Sequence, residues 1–488
     1  MKKVTKLSSL FLLLLIFSCH SNYEDGYGPD YSAESYYNEG DQYIDNGENP
    51  FISTSEQNVS TFSIDADGGS YANSRRFLMQ ESNLPPDGAV RIEEFINYFD
   101  LNYPQPTDGL PIAANGEVAK CPWKPEHKLI RIGIQGKDIP ESQLPPSNYV
   151  FLIDVSGSMS SDDKLQLLKQ GFNLLVDELT SQDKIAIVTY AGQAGLLLES
   201  TSGDQKGKIK EAINSLGSGG STAGADGIIT AYNIALDNFI EGGNNRIILG
   251  TDGDFNVGIS DREELISLIE GKRDNGIFLT TLGVGRGNLN EGTLEQIANK
   301  GNGTYEYIDN VEQLKKVFIY EKNKFYTVAK DVKVQVDFNA EIVDAYRLIG
   351  YENRILNEED FEDDSEDAGE LGAGQSITAI YEIIPNPAVG FETGRTFSID
   401  MRYKLPDNTT SVPFKLDIVD EDKSFAQSSD YMKFTASVAA FGMQLIDSQF
   451  KGTASYQDIN DWLYQTNLDD PYGYKEELKS LVNKASQL

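Results

Sequence analysis

Two periods of apolar residues run along this chain, and they divide it. Residues 149–153 and 247–249 are short, continuously apolar runs, the pattern of strands buried on both faces of a parallel sheet. Residues 185–190, 195–198 and 278–284 read as further strands. Between them Leu165, Leu168, Phe172, Leu175 and Leu179 recur at helical spacing, and 207–216, 225–240 and 262–273 also read as helices. Strands that alternate with helices require crossover connections. Residues 148–325 are therefore expected to form an α/β unit, a doubly wound, mostly parallel and Rossmann-like sheet with helices on both faces.

From 326 to 420 the period falls to two. Val332, Val334, Val336 and Phe338 alternate with polar residues, and 377–384 and 397–403 repeat the pattern, which predicts a β-rich, sandwich-like domain. Ahead of the α/β unit, residues 58–147 are read as a separate amino-terminal region with a strand at 61–67. A helix is expected at 88–99, with Val90, Phe95 and Tyr98 facing a core. Because both flanks carry strands, they are expected to pair into one discontinuous domain with the α/β unit inserted. Residues 421–488 read as helical, and the stripe of Phe434, Val438, Phe441 and Leu445 is expected in a core.

The first residues have another character. Lys2, Lys3 and Lys6 precede an apolar run at 10–17, too short to span a bilayer but right for the core of a signal peptide. The run ends at Ser18-Cys19, which resembles a bacterial lipobox, so 1–18 is expected to be removed and Cys19 to carry a lipid. Residues 19–57 are polar and acidic, and no Lys or Arg occurs from Leu7 through Ser74. Such a segment buries too little apolar area to offset its ordering entropy and reads as a flexible acidic tether. The expected location is the cell envelope, anchored by lipid to the outer membrane and facing the periplasm or the surface.

Charge removes several functions. A net charge of −35 opposes nucleic-acid binding, which needs clustered Lys and Arg. Beyond Cys19 the one cysteine is Cys121, which has no Cys or His at ligand spacing and reads as a packed small residue. With His20 and His127 as the whole histidine supply, a hydrolase triad and a zinc enzyme are both disfavoured. The chain is expected not to be an enzyme.

An acid follows each of the two apolar runs, Asp154 in Ile-Asp-Val-Ser-Gly-Ser-Met and Asp252 in Thr-Asp-Gly-Asp. Both leave the carboxyl ends of strands, the edge at which open α/β sheets bind ligands. Ser156, Ser158 and Thr222 add hydroxyls from the intervening loops. Two carboxylates and three hydroxyls suit Mg²⁺, which prefers octahedral oxygen ligands and keeps several waters. The plainer reading of Asp-x-Ser-x-Ser is a cap on the helix that follows. The glycines of 217–224 could cradle a phosphate, but the loop lacks a Gly-Lys-Ser/Thr ending. They are better suited to bring Thr222 close to an ion. The acidic stretch 358–370 lacks the ligand spacing of a calcium loop and reads as solvated.

The three segments resemble the metal-ion-dependent adhesion site (MIDAS) of von Willebrand factor type A (VWA) domains. The likeness extends through Asp-Lys-Ile-Ala-Ile-Val-Thr-Tyr-Ala-Gly at 183–192, 242–249 and 252–258. Tyr-Arg-Leu-Ile-Gly-Tyr-Glu-Asn-Arg at 346–354 and Ala-Ser-Val-Ala-Ala-Phe-Gly-Met at 436–443 resemble the bacterial YfbK-like lipoproteins of that family. The resemblance implies that Ser156 and Ser158 ligate directly and Thr222 directly or through water, while Asp154 and Asp252 hold the metal's waters. It implies Mg²⁺, with Mn²⁺ or Ca²⁺ as alternates, and a last position filled by an acidic side chain of a partner protein.

Two other functions stay open at this point. The protein could be an envelope scaffold whose ion stabilises the fold. Alternatively, Asp65-Ala-Asp67 after an apolar strand resembles the nucleophile loop of haloacid-dehalogenase-type phosphatases.

Overall fold

The structure is a computed structural model that describes residues 40–191, 193–219, 225–253, 262–273, 275–389 and 394–488. The expected signal peptide, Cys19 and the first part of the tether lie outside these residues.

The α/β unit is built on six strands in the order Tyr305–Ile308, Phe278–Val284, Asn244–Thr251, Ser147–Asp154, Lys184–Ala191 and Gln193–Ser202. The first five run parallel, and the last turns back antiparallel to its neighbour. The central Ser147–Asp154 strand is buried at every position, as a strand covered on both faces must be. Phe151 and Ile153 enter one apolar layer with helix Leu165–Glu178, where Phe151 stacks on Phe172 at 4.1 Å. Val150 and Leu152 enter the opposite layer with Ile228, Ala231 and Tyr232. Leu165, Leu168, Phe172, Leu175 and Leu179 are all buried, as their spacing requires. Two details depart from the sequence reading. The strand expected at 195–198 is ten residues long and closes a hairpin, and the four-residue strand Tyr305–Ile308 was not anticipated.

The flanks interleave in two antiparallel sheets. One has the order Ile52–Ser53, Val343–Ile349, Ser376–Pro385, Lys128–Gly136 and Ile112–Lys120. The other has Ile355–Leu356, Val59–Ser63, Thr327–Phe338, Arg395–Lys404 and Val412–Val419. Each sheet thus takes strands from before and after the α/β unit, with Phe62 opposite Val334 across one such seam. Ile130, Ile132 and Tyr381 from one sheet and Phe62, Val336 and Phe397 from the other share a single apolar core. Alternate inward residues from two facing sheets make that core, which is the packing of a sandwich.

A helical layer covers the frame. Helices Gly69–Arg76, Ile92–Asn97, Asp430–Leu445, Tyr456–Tyr464 and Tyr474–Ala485 contribute to a second core around Tyr71, Phe95, Phe434 and Phe441. Phe434, Val438, Phe441 and Leu445 are buried, as expected. The helix expected at 88–99 is confined to Ile92–Asn97, because Val90 and Arg91 are extended.

The tether expected at 19–57 is corrected over its last part, since residues 40–57 are held by the fold. Asp41 accepts hydrogen bonds from the amides of Gly287 and Leu289 at 2.6 and 3.1 Å and pairs with Arg76 at 2.8 Å. Gln42 bridges to Asn290, and Ile52–Ser53 adds a short strand beside Tyr346. Phe51 packs edge-on against His127 and Phe450, with ring centroids 5.5 and 5.8 Å apart. A polar, acidic composition hid these specific partners, because each depends on residues far away in the chain.

Candidate metal centre

Asp154 ends the central strand and sits opposite the end of its neighbour, where Ile153 is in register with Gly250. Its carboxylate is fully buried and held in place. Oδ1 accepts the Ser156 amide at 2.8 Å and Oδ2 accepts the Thr251 hydroxyl at 3.2 Å. Ser156 is extended and leads into a 3-10 turn at Gly157–Ser160. That turn folds Ser158 back, so the Ser156 and Ser158 hydroxyl oxygens stand 2.9 Å apart. Ser156 is buried and Ser158 exposed, so the pair spans from the interior to solvent.

The capping alternative meets a direct observation. Ser156 makes no side-chain capping bond to the amides of the turn it precedes, and helix Leu165–Glu178 starts at Lys164 without a side-chain cap. The two serine hydroxyls are therefore turned toward each other and not toward helix amides. Thr222 lies outside the described residues. The loop that carries it starts beside Asp154, since the Gly219 amide donates to the Val155 carbonyl at 2.7 Å.

Asp252 follows Thr251 at the end of the adjoining strand and is fully buried. Gly253 must take φ +97°, and a side chain there would overlap the Asn290 amide nitrogen. This glycine permits the close turn that follows Asp252. Burial pushes the Asp154 carboxyl up to about 6, hydrogen bonds from Ser156 oppose the rise, and the charge of Asp252 adds to it. Two acids and two adjacent hydroxyls offer only oxygen, and the stacked negative charge favours a hard cation, so the residues present fit Mg²⁺.

Sequence reasoning missed one member of this site. Lys164 reaches its ammonium to Asp252 Oδ2 at 3.0 Å and to Asn288 Oδ1 at 2.8 Å. Its stem lies against Gly285, where φ is +73° and any side chain would occupy the space of the lysine methylenes. No local motif signals this contact, because it joins the start of one helix to turns after two other strands.

Asp65 and Asp67 are placed differently from a phosphatase nucleophile loop. Both are buried, Asp65 Oδ2 accepts from Arg354 Nε at 3.0 Å, and Asp67 Oδ1 accepts the Tyr305 amide at 2.8 Å. Neither carboxylate faces open solvent where a phosphoester could approach. His127 pairs with Glu382 at 2.5 Å within the frame, and His20 lies outside the described residues.

Comparison with known proteins bears on the whole chain. The family described as von Willebrand factor type A domain matches residues 148–319, that described as von Willebrand factor matches 37–131, and that described as Uncharacterized protein YfbK, C-terminal, matches 323–488. Uncharacterized protein YfbK of Escherichia coli (strain K12) is 42% identical over 472 residues, covering 90% of this chain and 80% of that protein. A solved von Willebrand factor type A structure from Catenulispora acidiphila aligns with a TM-score of 0.45 at 15% identity, over 77% of this chain and 90% of the other. Proximal thread matrix protein 1 from the mussel byssus, solved with a zinc-occupied MIDAS motif, aligns with a TM-score of 0.30 at 27% identity, over 36% and 44%. The segment that carries Asp154, Ser156, Ser158 and Asp252 is thus a VWA domain, and the chain belongs to the YfbK family of VWA proteins.

Proposed function

We propose that this protein is a lipid-anchored module of the bacterial cell envelope that binds a divalent cation at Asp154, Ser156, Ser158, Thr222 and Asp252 and holds an acidic side chain of a protein partner through it. Mg²⁺ is the proposed ion, with Mn²⁺ and Ca²⁺ as alternates. Bound there, the ion would supply a positive centre for a carboxylate. The observation that carries the reading is the 2.9 Å approach of the Ser156 and Ser158 hydroxyls, one buried and one exposed, just after the buried Asp154. Ser156 and Ser158 would contact the ion, while the buried Asp154 orients Ser156 through its amide. Cys19 would carry the lipid.

Calorimetric titration of Mg²⁺ or Mn²⁺ into the full chain and into Ser156→Ala and Asp252→Ala tests this reading. Both variants are expected to bind at least tenfold more weakly. Affinity unchanged in both would sink it. Capture of partners from detergent-solubilised envelopes, with and without chelator, tests the partner arm.

A second reading is that the ion serves the fold alone. The juxtaposition of two buried carboxylates favours it, since a cation there would relieve their repulsion. Under this reading chelation lowers the melting temperature and leaves the set of captured proteins unchanged.

A further inference from the structure

A second acidic group lies where the inserted domain meets the frame. Asp65 and Asp67 come from the loop after strand Val59–Ser63, and Glu295 comes from helix Glu291–Lys300 of the VWA domain. All three are buried, and one oxygen of each lies within 4.8 Å of the others. Arg354 makes close hydrogen bonds only to Asp65 and to Asn299 Oδ1, each at 3.0 Å. Toward Asp67 Oδ2 and Glu295 Oε1 its Nη2 stays at 3.5 Å.

Asp67 is 2% exposed, yet its Oδ2 makes no hydrogen bond. A buried carboxylate oxygen left so costs free energy unless a proton or a cation meets it. The surroundings make the deficit worse. Arg91 is shared among Glu94, Glu291 and Glu295, so two guanidinium groups face five carboxylates. Glu93, fully buried and acted on by the charge of Asp65, has no hydrogen bond at either oxygen. A cavity of about 230 Å³ is lined by Ala66 and Gly68, the chain neighbours of Asp67.

We propose that Asp65, Asp67 and Glu295 bind a second divalent cation, Ca²⁺, which clamps the VWA domain to the sandwich frame. Calcium tolerates irregular oxygen cages with ligands at about 2.3–2.6 Å, whereas magnesium demands a tighter octahedron and more water. Three buried carboxylates drawn from two separate elements make an irregular cage, which suits the larger ion. The site is separate from the one at Asp154 and does not depend on its function.

The test is calcium titration of the full chain carrying Ser156→Ala, which is expected to weaken any binding at the Asp154 site. One Ca²⁺ per chain is expected, with a rise in melting temperature. Adding Glu295→Gln or Asp67→Asn should weaken that binding at least tenfold, and two variants guard against one failing to fold, as judged by circular dichroism. No calcium heat and no thermal shift in the Ser156→Ala chain would overturn the proposal, as would binding that survives both carboxamide substitutions. Loss of the Asp154 site's Mg²⁺ binding alone leaves these outcomes readable, so the two ideas fail separately.

Discussion

Lys164 Nζ stands 3.0 Å from Asp252 Oδ2, and both side chains are buried, so the candidate metal centre contains a cation of its own. The pair neutralises one of the two acids before any metal arrives. Lys164→Met removes that charge from beside the buried Asp252 carboxylate. Breaking a buried pair in this way costs about 3–5 kcal/mol. In chelator the variant is expected to melt at lower temperature, and Mg²⁺ should bind it about tenfold more tightly, about 1.4 kcal/mol. Calorimetry and thermal melts with and without Mg²⁺ check both halves; weaker Mg²⁺ binding would contradict the charge argument.

Gly253 sits at φ +97° directly after Asp252, and a methyl group there would strike the Asn290 amide. Gly253→Ala is expected to destabilise the fold by about 1–3 kcal/mol, the usual cost of a strained backbone position. Because the strain falls on the neighbour of Asp252, Mg²⁺ affinity should drop as well. Urea unfolding gives the first quantity and titration the second.

The acidic junction predicts an unusual pH response. Burial raises the Glu291 carboxyl to about 8, with Arg91 opposing and Glu94 and Glu295 adding to the rise. Burial likewise raises Glu352 to about 7; the Asn49 amide and Arg347 oppose it, and the charge of Glu48 adds to it. The folded state therefore keeps protons that the unfolded chain releases near 4.5. That stabilisation is complete below about 4.5 and is lost as pH rises through 7 and 8. In calcium-free buffer the urea midpoint should fall between pH 5 and pH 8, and Glu291→Gln should flatten the slope. A midpoint that rises over this range would refute the assignment.

Cys121 is buried, and burial pushes its thiol well up, with Glu382 adding to the effect. Thiolate is the reactive form, so the folded protein should resist thiol reagents at this position. Denatured wild type is expected to titrate one more thiol than denatured Cys121→Ser, and the two folded proteins should titrate alike.

Much of the arrangement around the candidate site was legible because its geometry is local. Asp154, Ser156 and Ser158 lie within five residues, and a strand end followed by a tight turn suffices to bring the serines together. The helix stripe from Leu165 to Leu179 was legible for the same reason, since one face of a helix repeats in sequence. What escaped depends on distant partners. Lys164 is an ordinary surface-type residue until the turns carrying Gly285 and Asn288 fold over it. Strand Tyr305–Ile308 is too short, and too interrupted by Glu306, for a period to register. Residues 40–57 carry few apolar anchors, and their order comes from single contacts such as Asp41 with Arg76.

The grip of Asp41 and Gln42 on the turn at 287–289 has a mechanical meaning. Among the described residues, tension applied from the amino-terminal side meets this turn before any long strand or helix. The same turn presents Asn288 to Lys164, which in turn holds Asp252. Force along the chain and any cation held at the candidate site would thus act on a shared handful of atoms, so pulling on one should be felt as a change in the other.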